Sequence, residues 1–327
     1  MLLKEHDKKG FAMEYVEFND LKLSRICMGG CPMGGYDWGE THEEDFIEAI
    51  HTALENGVNF FDTANTYGFG QSEVTLEKGL GCHRKDVIIQ SKFGVRVMQD
   101  MVGRKTIYDN SPEYIRKALE GTLTRLQTDY VDIYTIHYRD YSTPIQDVVD
   151  TLERLKNEGK IRYYGLSNIH GEKIKELLPY KGYFATCQEE FSLACRKNED
   201  DIKAVSELIG ALPMTWGSLG QGVLTGKYKA DARFAENDRR RRAVYINFHG
   251  EKLLHNLRIV DQMKPIAEKH NKSLAATAIR FIMDYLTNSI VTVGIKNAAQ
   301  MTTNLECLDW QMDKVELEML DSVSRKA

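Results

Sequence analysis

Short apolar runs alternate with amphipathic segments eight times along this 327-residue chain, and this alternation constrains the fold more than any other feature. Each apolar run has the length of a buried strand, and the segments between them carry apolar residues at helical spacing. Strands that alternate with helices form a parallel sheet, and eight such units close into a barrel of roughly 250 residues. The predicted strands are ICMGG, VNFFDT, DVIIQSKF, DYVDIYTIH, KIRYYGLSN, YFATCQEE, PMTWGSLG and SIVTVG.

The segment before the first barrel strand predicts a β-hairpin, because EYVEFNDLKLSRI alternates apolar and polar residues around Asn19 and Asp20. The predicted fold is therefore an α/β protein, a (β/α)8 TIM barrel with an N-terminal β-hairpin and extra helices. Residues 1–12 are expected to form a disordered tail, and residues 13–327 a single barrel domain. An open, doubly wound sheet is the structural alternative, but GGCPMGG lacks the GxGxxG spacing expected after its first strand.

The charge balance argues against two classes of partner. The chain has 43 Lys and Arg against 48 Asp and Glu, and the resulting net charge of −5 does not favour nucleic acid or an anionic membrane surface. No stretch reaches the roughly 18 consecutive apolar residues of a membrane span, and the first residues lack the apolar region of a signal peptide. We therefore expect a cytoplasmic protein, and a homo-oligomer is compatible with the sequence.

Six cysteines in a chain of this length do not indicate a disulfide scaffold. Cys27 and Cys31 form a CxxxC pair, but the third cysteine of an iron–sulfur triad would fall at Gly34. We therefore expect reduced packing thiols and no metal site.

Four chemically reactive side chains stand at or just beyond the ends of three predicted strands, and they are Asp62, Tyr67, Lys92 and His137. Strand ends of this kind converge on one mouth of a barrel. Reduction of a carbonyl needs a proton donor for the oxygen on which negative charge grows. Lys92 would lower the pKa of the Tyr67 phenol, and Asp62 would hold Lys92 by a charge-assisted bond. His137 would orient the carbonyl oxygen.

The segment GVNFFDTANTYGFGQSE, together with QSKFG, IYTIH and GLSN, resembles the aldo-keto reductase family over about residues 15–322. It is most similar to the bacterial and plant branch that includes the potassium-channel beta subunits. The resemblance implies a catalytic tetrad of Asp62, Tyr67, Lys92 and His137, with Tyr67 as the general acid. It also implies NADP(H) bound in extended form across the barrel mouth, which agrees with the missing glycine fingerprint.

The same resemblance implies residues that hold the cofactor. Ser167, Asn168 and Gln188 match the groups that bind the nicotinamide carboxamide, and Trp216 matches the ring that stacks on it. WGSLGQGVLTGK matches the pyrophosphate loop, and GIKNAAQMTTN the adenosine-phosphate site, where Lys296 would meet the 2′-phosphate. The full set of implied contacts is Gly30, Ser167, Asn168, Gln188, Trp216, Gly217, Ser218, Leu219, Gly220, Gly222, Lys227, Gly294, Lys296, Gln300 and Asn304.

Loops around the mouth set substrate specificity in such barrels. The aromatic residues expected to contact the substrate are Tyr36, Trp38, Phe93 and Tyr138, and residues 94–110 predict a loop long enough to cover the pocket. The run Arg239–Arg242 is interpreted as a solvated loop, with a phosphate contact as the alternative. Aldehydes, ketones and oxidised sugars all stay open as substrates.

The sequence thus predicts an NADP(H)-dependent oxidoreductase that interconverts a small-molecule carbonyl and its alcohol by hydride transfer, with Tyr67 as general acid or base. One alternative is a nucleotide-sensing binding subunit of the channel-beta type with little turnover. Another is a barrel aldolase or lyase in which Lys92 forms a Schiff base. The carboxamide-binding Ser167, Asn168 and Gln188 argue against the lyase.

Overall fold

The computed structural model describes residues 11–35, 37–100 and 103–325. It begins with an antiparallel hairpin of strands β1 (Tyr15–Phe18) and β2 (Leu21–Ser24), which confirms the predicted hairpin. Asn19 turns the chain with a φ of 51°, a left-handed conformation that Asn tolerates better than most residues. The predicted tail at residues 1–12 lies almost wholly outside the described residues.

Eight parallel strands close into a barrel, as the alternation predicts. The hydrogen-bonded order is β3-β4-β5-β8-β9-β10-β11-β12, and β12 closes the barrel on β3 with Val291 opposite Ile26. In chain order the elements after the first hairpin are β3 (Ile26–Gly29), α1 (Glu43–Glu55), β4 (Phe60–Asp62), α2 (Gln71–Leu80), β5 (Ile88–Phe93), β6 (Val95–Asp100), β7 (Gly103–Tyr108), α3 (Pro112–Arg125), β8 (Val131–Ile136), α4 (Ile145–Asn157), β9 (Ile161–Ser167), β10 (Phe184–Glu190), α5 (Glu199–Ile209), β11 (Leu212–Trp216), α6 (Gly250–His270), α7 (Leu274–Tyr285), β12 (Ile290–Gly294), α8 (Ala298–Leu305) and α9 (Lys314–Arg325).

The barrel strands are buried on both faces, because side chains fill the interior and helices cover the outside. All six residues of β5 and all six of β8 are buried. On α4, Val148, Leu152 and Leu155 recur at helical spacing and bury one apolar face. Burying each of these side chains contributes about 1.5–3 kcal/mol. None of the helices within the described ranges is both long and apolar enough to cross a bilayer.

One segment differs from the sequence-based expectation. Within residues 94–110, strands β6 and β7 form an antiparallel pair rather than a loop, with Val95 opposite Tyr108. The segment EKIKELL, between β9 and β10, lies within a 3-10 segment, Gly171–Tyr180. The helical stretch after β11 is divided into α6 and α7, because Asn271 adopts a left-handed φ of 51° and the Ser273 hydroxyl caps α7.

Candidate active site

The four predicted reactive side chains come together at the carboxyl end of the barrel. Lys92 Nζ donates to Asp62 Oδ1 at 2.6 Å, to the Thr63 carbonyl at 2.8 Å and to the Tyr67 hydroxyl at 3.2 Å. Lys92 is fully buried and Asp62 nearly so. A buried ion pair is tolerated only when its remaining donors and acceptors are satisfied. Here the ammonium uses three acceptors, and one of them is the phenol.

A tight turn places Tyr67 over Lys92. Tyr67 begins a 3-10 segment, Tyr67–Gly70, five residues beyond the end of β4. Gly68 has a φ of 59°, and a Cβ added there would lie 2.0 Å from the Gly34 carbonyl oxygen. Only glycine fits this close approach of two backbones, so Gly68 fixes the position of the tyrosine beside it.

His137 follows β8 and packs against Tyr67 in a T-shaped arrangement, with 5.9 Å between the ring centroids. Burial, with a contribution from the Lys92 charge, lowers the pKa of His137 well below its usual 6.5. The ring is therefore neutral at pH 7 and carries one N–H. Nδ1 is buried and has no hydrogen-bond partner among the described residues. The ring also lines the cavity described below, so a bound polar group can contact it there.

Burial raises the pKa of the Tyr67 phenol well above its usual 10, and the Asp62 carboxylate adds to this effect. The expected net lowering of this pKa is therefore wrong for the protein alone, because burial outweighs the nearby ammonium. Tyr67 therefore keeps its proton at neutral pH and can act as a donor.

A cavity of about 680 Å³ opens beside these side chains, which is within the range of small-molecule sites. Asp62, Tyr67 and His137 line it, whereas Lys92 lies behind them. Most predicted cofactor contacts and two predicted substrate contacts line the same cavity. These residues are Ser167, Asn168, Gln188, Trp216, Gly217, Ser218, Leu219, Gly222, Lys227, Gly294, Lys296, Gln300 and Asn304, with Trp38 and Tyr138.

Amide and hydroxyl groups cluster where β9 and β10 end. Asn168 has a left-handed φ of 57°, and its backbone N–H donates to the Gln188 carbonyl at 3.1 Å. Its side-chain amide donates to the His137 carbonyl at 3.0 Å and to Ser167 Oγ at 2.8 Å. The cluster offers both donors and acceptors, as a carboxamide requires. Trp216 ends β11 beside it, and its buried indole Nε1 has no partner within the described parts of the chain.

Cations line another part of the cavity. Lys296 follows β12, and its ammonium contacts the Trp38 carbonyl. Burial lowers the pKa of Lys296, and the nearby charges of Arg240 and Lys227 add to this effect. An anion placed among these three cations would relieve their repulsion. This part of the cavity therefore suits a phosphate group.

The start of α8 is also ordered around the cavity. Asn297 caps the helix by accepting from the Gln300 backbone N–H at 3.0 Å. The Gln300 side chain in turn accepts from the Lys296 backbone N–H at 3.0 Å. These two bonds fix the backbone that carries Lys296.

The interpretation of the arginine run as a solvated loop is wrong for its first two members, because Arg239 and Arg240 line the cavity. Arg240 is buried, and its Nε donates to Asp238 Oδ1 at 2.9 Å. The Arg239 guanidinium lies over the Trp38 ring, 4.9 Å from its centroid. The position of the run, in the loop after β11, is the sequence feature that indicates a role at the mouth.

Three predicted contacts do not line the cavity. Phe93 is buried against Tyr134, because successive strand residues face opposite sides and Lys92 takes the inward position. Gly30 packs on α2, where an added Cβ would lie 2.5 Å from Ser72 Oγ. Gly220 packs on Ala194 in a similar way. Tyr36, the remaining predicted substrate contact, lies outside the described residues.

The paired cysteines occupy different environments. Cys27 is buried, and Cys31 lines the cavity. Burial raises the pKa of both thiols, so both are protonated at neutral pH. Neither forms a disulfide within the described chain.

Comparison with known proteins agrees with this geometry. Residues 25–325 match the model of the Aldo/keto reductase family. Aldo-keto reductase YhdN of Bacillus subtilis (strain 168) is 29% identical over 316 residues, 95% of this chain and 93% of the relative. The NADH-specific methylglyoxal reductase of Escherichia coli (strain K12) is 29% identical over 313 residues, 92% and 94% of the two chains. The solved structure of the glycerol dehydrogenase AKR11B4 from Gluconobacter oxydans is 30% identical with a TM-score of 0.85, covering 94% of each chain. Because the family match spans nearly the whole sequence, the chain belongs to the aldo/keto reductase family of oxidoreductases.

Proposed function

We propose that this protein is an NADP(H)-dependent oxidoreductase that reduces a small aldehyde or ketone to an alcohol, or catalyses the reverse reaction. The observation that carries the proposal is the hydrogen-bonded series from Asp62 through Lys92 to the Tyr67 hydroxyl, which ends in the cavity beside the amide cluster. Such a series holds a proton donor where a carbonyl oxygen can reach it.

The cavity fits a nicotinamide dinucleotide in its chemistry as well as its size. Ser167, Asn168 and Gln188 would hold the carboxamide, and Trp216, whose buried Nε1 is unpaired among the described residues, would stack on the ring. Lys296 and the nearby cations would hold phosphate. When bound, the reduced nicotinamide supplies the hydride that reaches the carbonyl carbon.

The side chains of the tetrad would act on the oxygen of the carbonyl. The neutral His137 ring would donate its N–H and orient the carbonyl. Tyr67 would transfer its proton as negative charge grows on that oxygen, and the Lys92 ammonium would stabilise the phenolate that remains. Asp62 would hold Lys92 in place. Acid catalysis of this kind contributes about 10² to 10⁴ in rate. In the reverse direction the phenolate would accept the alcohol proton.

Lys92 is poorly placed for the Schiff-base alternative. A nucleophilic amine must lose its proton and reach the substrate. Lys92 is instead fully buried, donates to Asp62 at 2.6 Å and lies behind Tyr67. These contacts favour a role as a fixed cation over a role as a nucleophile.

The pKa shifts predict a flat pH profile for carbonyl reduction. The pKa of Tyr67 is raised well above 10, so its proton is present throughout the neutral range. The pKa of His137 is lowered well below 6.5, so the ring stays neutral there. We expect kcat to change less than about twofold between roughly pH 7 and 9. Saturating substrate and nucleotide are used at each pH, and a steep fall of kcat within this window would contradict the assignment of these two groups.

Lys296 is proposed to select NADPH over NADH. In Lys296→Ala we expect the Kd for NADPH to rise about tenfold to a hundredfold, because hydrogen bonds to charged groups are worth about 1.5–3 kcal/mol. The Kd for NADH should change little. Lys264→Ala, on the exposed side of α6, removes one positive charge away from the cavity and is the matched control. Equal losses for both nucleotides in Lys296→Ala would remove the phosphate role, a useful test because the E. coli relative is named NADH-specific.

Turnover is tested by following oxidation of NADPH with a panel of neutral carbonyls. The names of two relatives point to small oxygenated compounds, methylglyoxal for one and glycerol for the other. The panel therefore begins with methylglyoxal and the aldehyde and ketone derived from glycerol, and glycerol itself is tested with NADP⁺. We expect carbonyl-dependent NADPH oxidation with at least one of them. Tight nucleotide binding without turnover on a wide carbonyl panel would favour the sensing subunit.

A further inference from the structure

A buried amide stands behind the Asp62–Lys92 pair. Gln90 lies on β5 two residues before Lys92, so both side chains face the barrel interior. Its side chain is fully buried, and Nε2 donates to Asp62 Oδ1 at 2.8 Å. This is the same oxygen that accepts from Lys92 Nζ at 2.6 Å. Branched apolar residues dominate the interiors of such barrels, so an amide at this position contributes a specific hydrogen bond rather than packing volume.

A hydroxyl fixes the orientation of the Gln90 amide. Thr186 Oγ1, on β10, donates to Gln90 Oε1 at 2.8 Å. With the amide oxygen held in this way, its nitrogen must point towards Asp62. Gly165 on β9 leaves room for the hydroxyl, because a Cβ added there would lie 2.5 Å from Thr186 Oγ1. The hydrogen bonds therefore run in one direction, from Thr186 through Gln90 to Asp62.

A second threonine in the same region lies outside this series. Thr135 Oγ1 would lie 2.7 Å from the same added Cβ on Gly165, so it is close to Thr186. It is buried, yet it has no hydrogen-bond partner among the residues that the structure describes. Two neighbouring hydroxyls in one interior layer thus differ in whether they reach the tetrad. This difference provides a matched control.

We infer that Gln90, oriented by Thr186, is a positioning residue that holds the Asp62 carboxylate directed at Lys92, and thereby supports proton donation by Tyr67. The inference rests on the proposed function. Asp62 is nearly fully buried, so the donors that orient its carboxylate are chiefly protein groups. Removal of the amide would leave Lys92 as the one remaining charge-stabilising donor that the structure gives to Oδ1.

The test compares four variants by kcat, KM, nucleotide Kd and pH profile. For Gln90→Leu we expect kcat to fall about tenfold to a hundredfold, as for loss of a hydrogen bond to a charged group. KM and nucleotide Kd should change less than about twofold, because the residues proposed to contact the substrate and the cofactor are unchanged. A loss confined to kcat is the result expected of a positioning residue, whereas a general disturbance of the site would also raise KM.

Gln90→Glu distinguishes positioning from packing. The new side chain has nearly the same shape, and while protonated its O–H can donate to Asp62. Once ionised it cannot donate and repels the Asp62 carboxylate. We therefore expect this variant to retain more kcat than Gln90→Leu at low pH and to lose that advantage as the pH rises. A purely structural role for Gln90 predicts no such crossing of the two profiles.

The two threonines complete the test. Thr186→Val should lower kcat in the same direction as Gln90→Leu but by less, whereas Thr135→Val should leave kcat and its pH profile unchanged. Equal effects of the two threonine variants, or an unchanged kcat in Gln90→Leu, would overturn the inference. A wild-type protein that binds no nucleotide would instead remove the proposed function. Thermal melting of each variant identifies any that fails to fold, in which case the threonine pair decides the result.

Discussion

Tyr67→Phe is expected to lower kcat by about 10² to 10⁴ while leaving nucleotide binding nearly unchanged. The change removes one hydroxyl and keeps the ring that packs edge-on against His137. That hydroxyl accepts a bond from Lys92 and carries a proton at neutral pH, because burial raises its pKa. Its loss therefore removes proton donation in the transition state and little else. Steady-state kinetics and a nucleotide titration of the same preparation measure the two effects.

Tyr183→Phe is the matched control for this experiment. Tyr183 is exposed, packs edge-to-face with Tyr180 and is not among the described residues that line the cavity. Removing its hydroxyl deletes the same atom away from the active site. We expect kcat to stay within a few-fold of the wild type. If Tyr67→Phe also kept a near-wild-type kcat, Tyr67 would not be the proton donor.

Lys92→Met is expected to abolish most turnover and also to destabilise the fold by about 3–5 kcal/mol. The reason is that breaking a buried ion pair leaves one charge without its partner. The Asp62 carboxylate is nearly inaccessible to water, and its 2.6 Å bond to Lys92 would be lost. Tyr67→Phe leaves this pair intact, so the two variants should differ in stability although both lose activity. Urea unfolding of both variants measures the difference.

A double variant tests whether the lost stability comes from an unpaired buried charge. Asp62→Asn combined with Lys92→Met removes both charges, so we expect most of the lost stability to return. Activity should not return, because no ammonium remains beside Tyr67. A Lys92→Met protein as stable as the wild type would mean that the pair does not carry the buried charges assigned to it.

The barrel could be predicted from the sequence because its strands follow a simple physical rule. Strands such as β5 and β8 are buried along their whole length, so they appear as continuous apolar runs between turn residues. The strand ends then place Asp62, Lys92 and His137 at one mouth without any knowledge of loop structure. Tyr67 lies close to them because the turn after β4 is short.

Two wrong predictions, for Phe93 and for residues 94–110, come from neglecting the alternation of side chains along a strand. Phe93 was expected at the mouth because it is aromatic and ends a strand, but the inward position of Lys92 forces its neighbour outwards into the core. The hairpin β6–β7 was expected to be a loop, although Val95 and Val97 alternate with polar Arg96 as in an exposed strand. These errors follow from interpreting residue type without strand phase.

The pKa of Tyr67 and the ion pairing of Arg240 could not be predicted from positions in the sequence. The pKa of Tyr67 is raised first by burial and then by the Asp62 carboxylate, and both depend on the folded arrangement around the phenol. Arg240 appeared to be a solvated charge because it stands in a run of four arginines. Its burial against the cavity follows from its ion pair with Asp238. The spacing of residues in the sequence does not indicate that Arg240 and Asp238 form an ion pair.

The proposed function is tested most directly by titrating the purified protein with NADPH and NADH while following tryptophan emission. We predict tight, NADPH-selective quenching that is strongly reduced in Trp216→Leu, because Trp216 lines the cavity where the nicotinamide would stack. The quenching should be kept in Trp310→Phe, because Trp310 packs on His270 and is not among the described residues that line the cavity. Binding of neither nucleotide would contradict the proposed function, both as an NADP(H)-dependent reductase and as a nucleotide sensor.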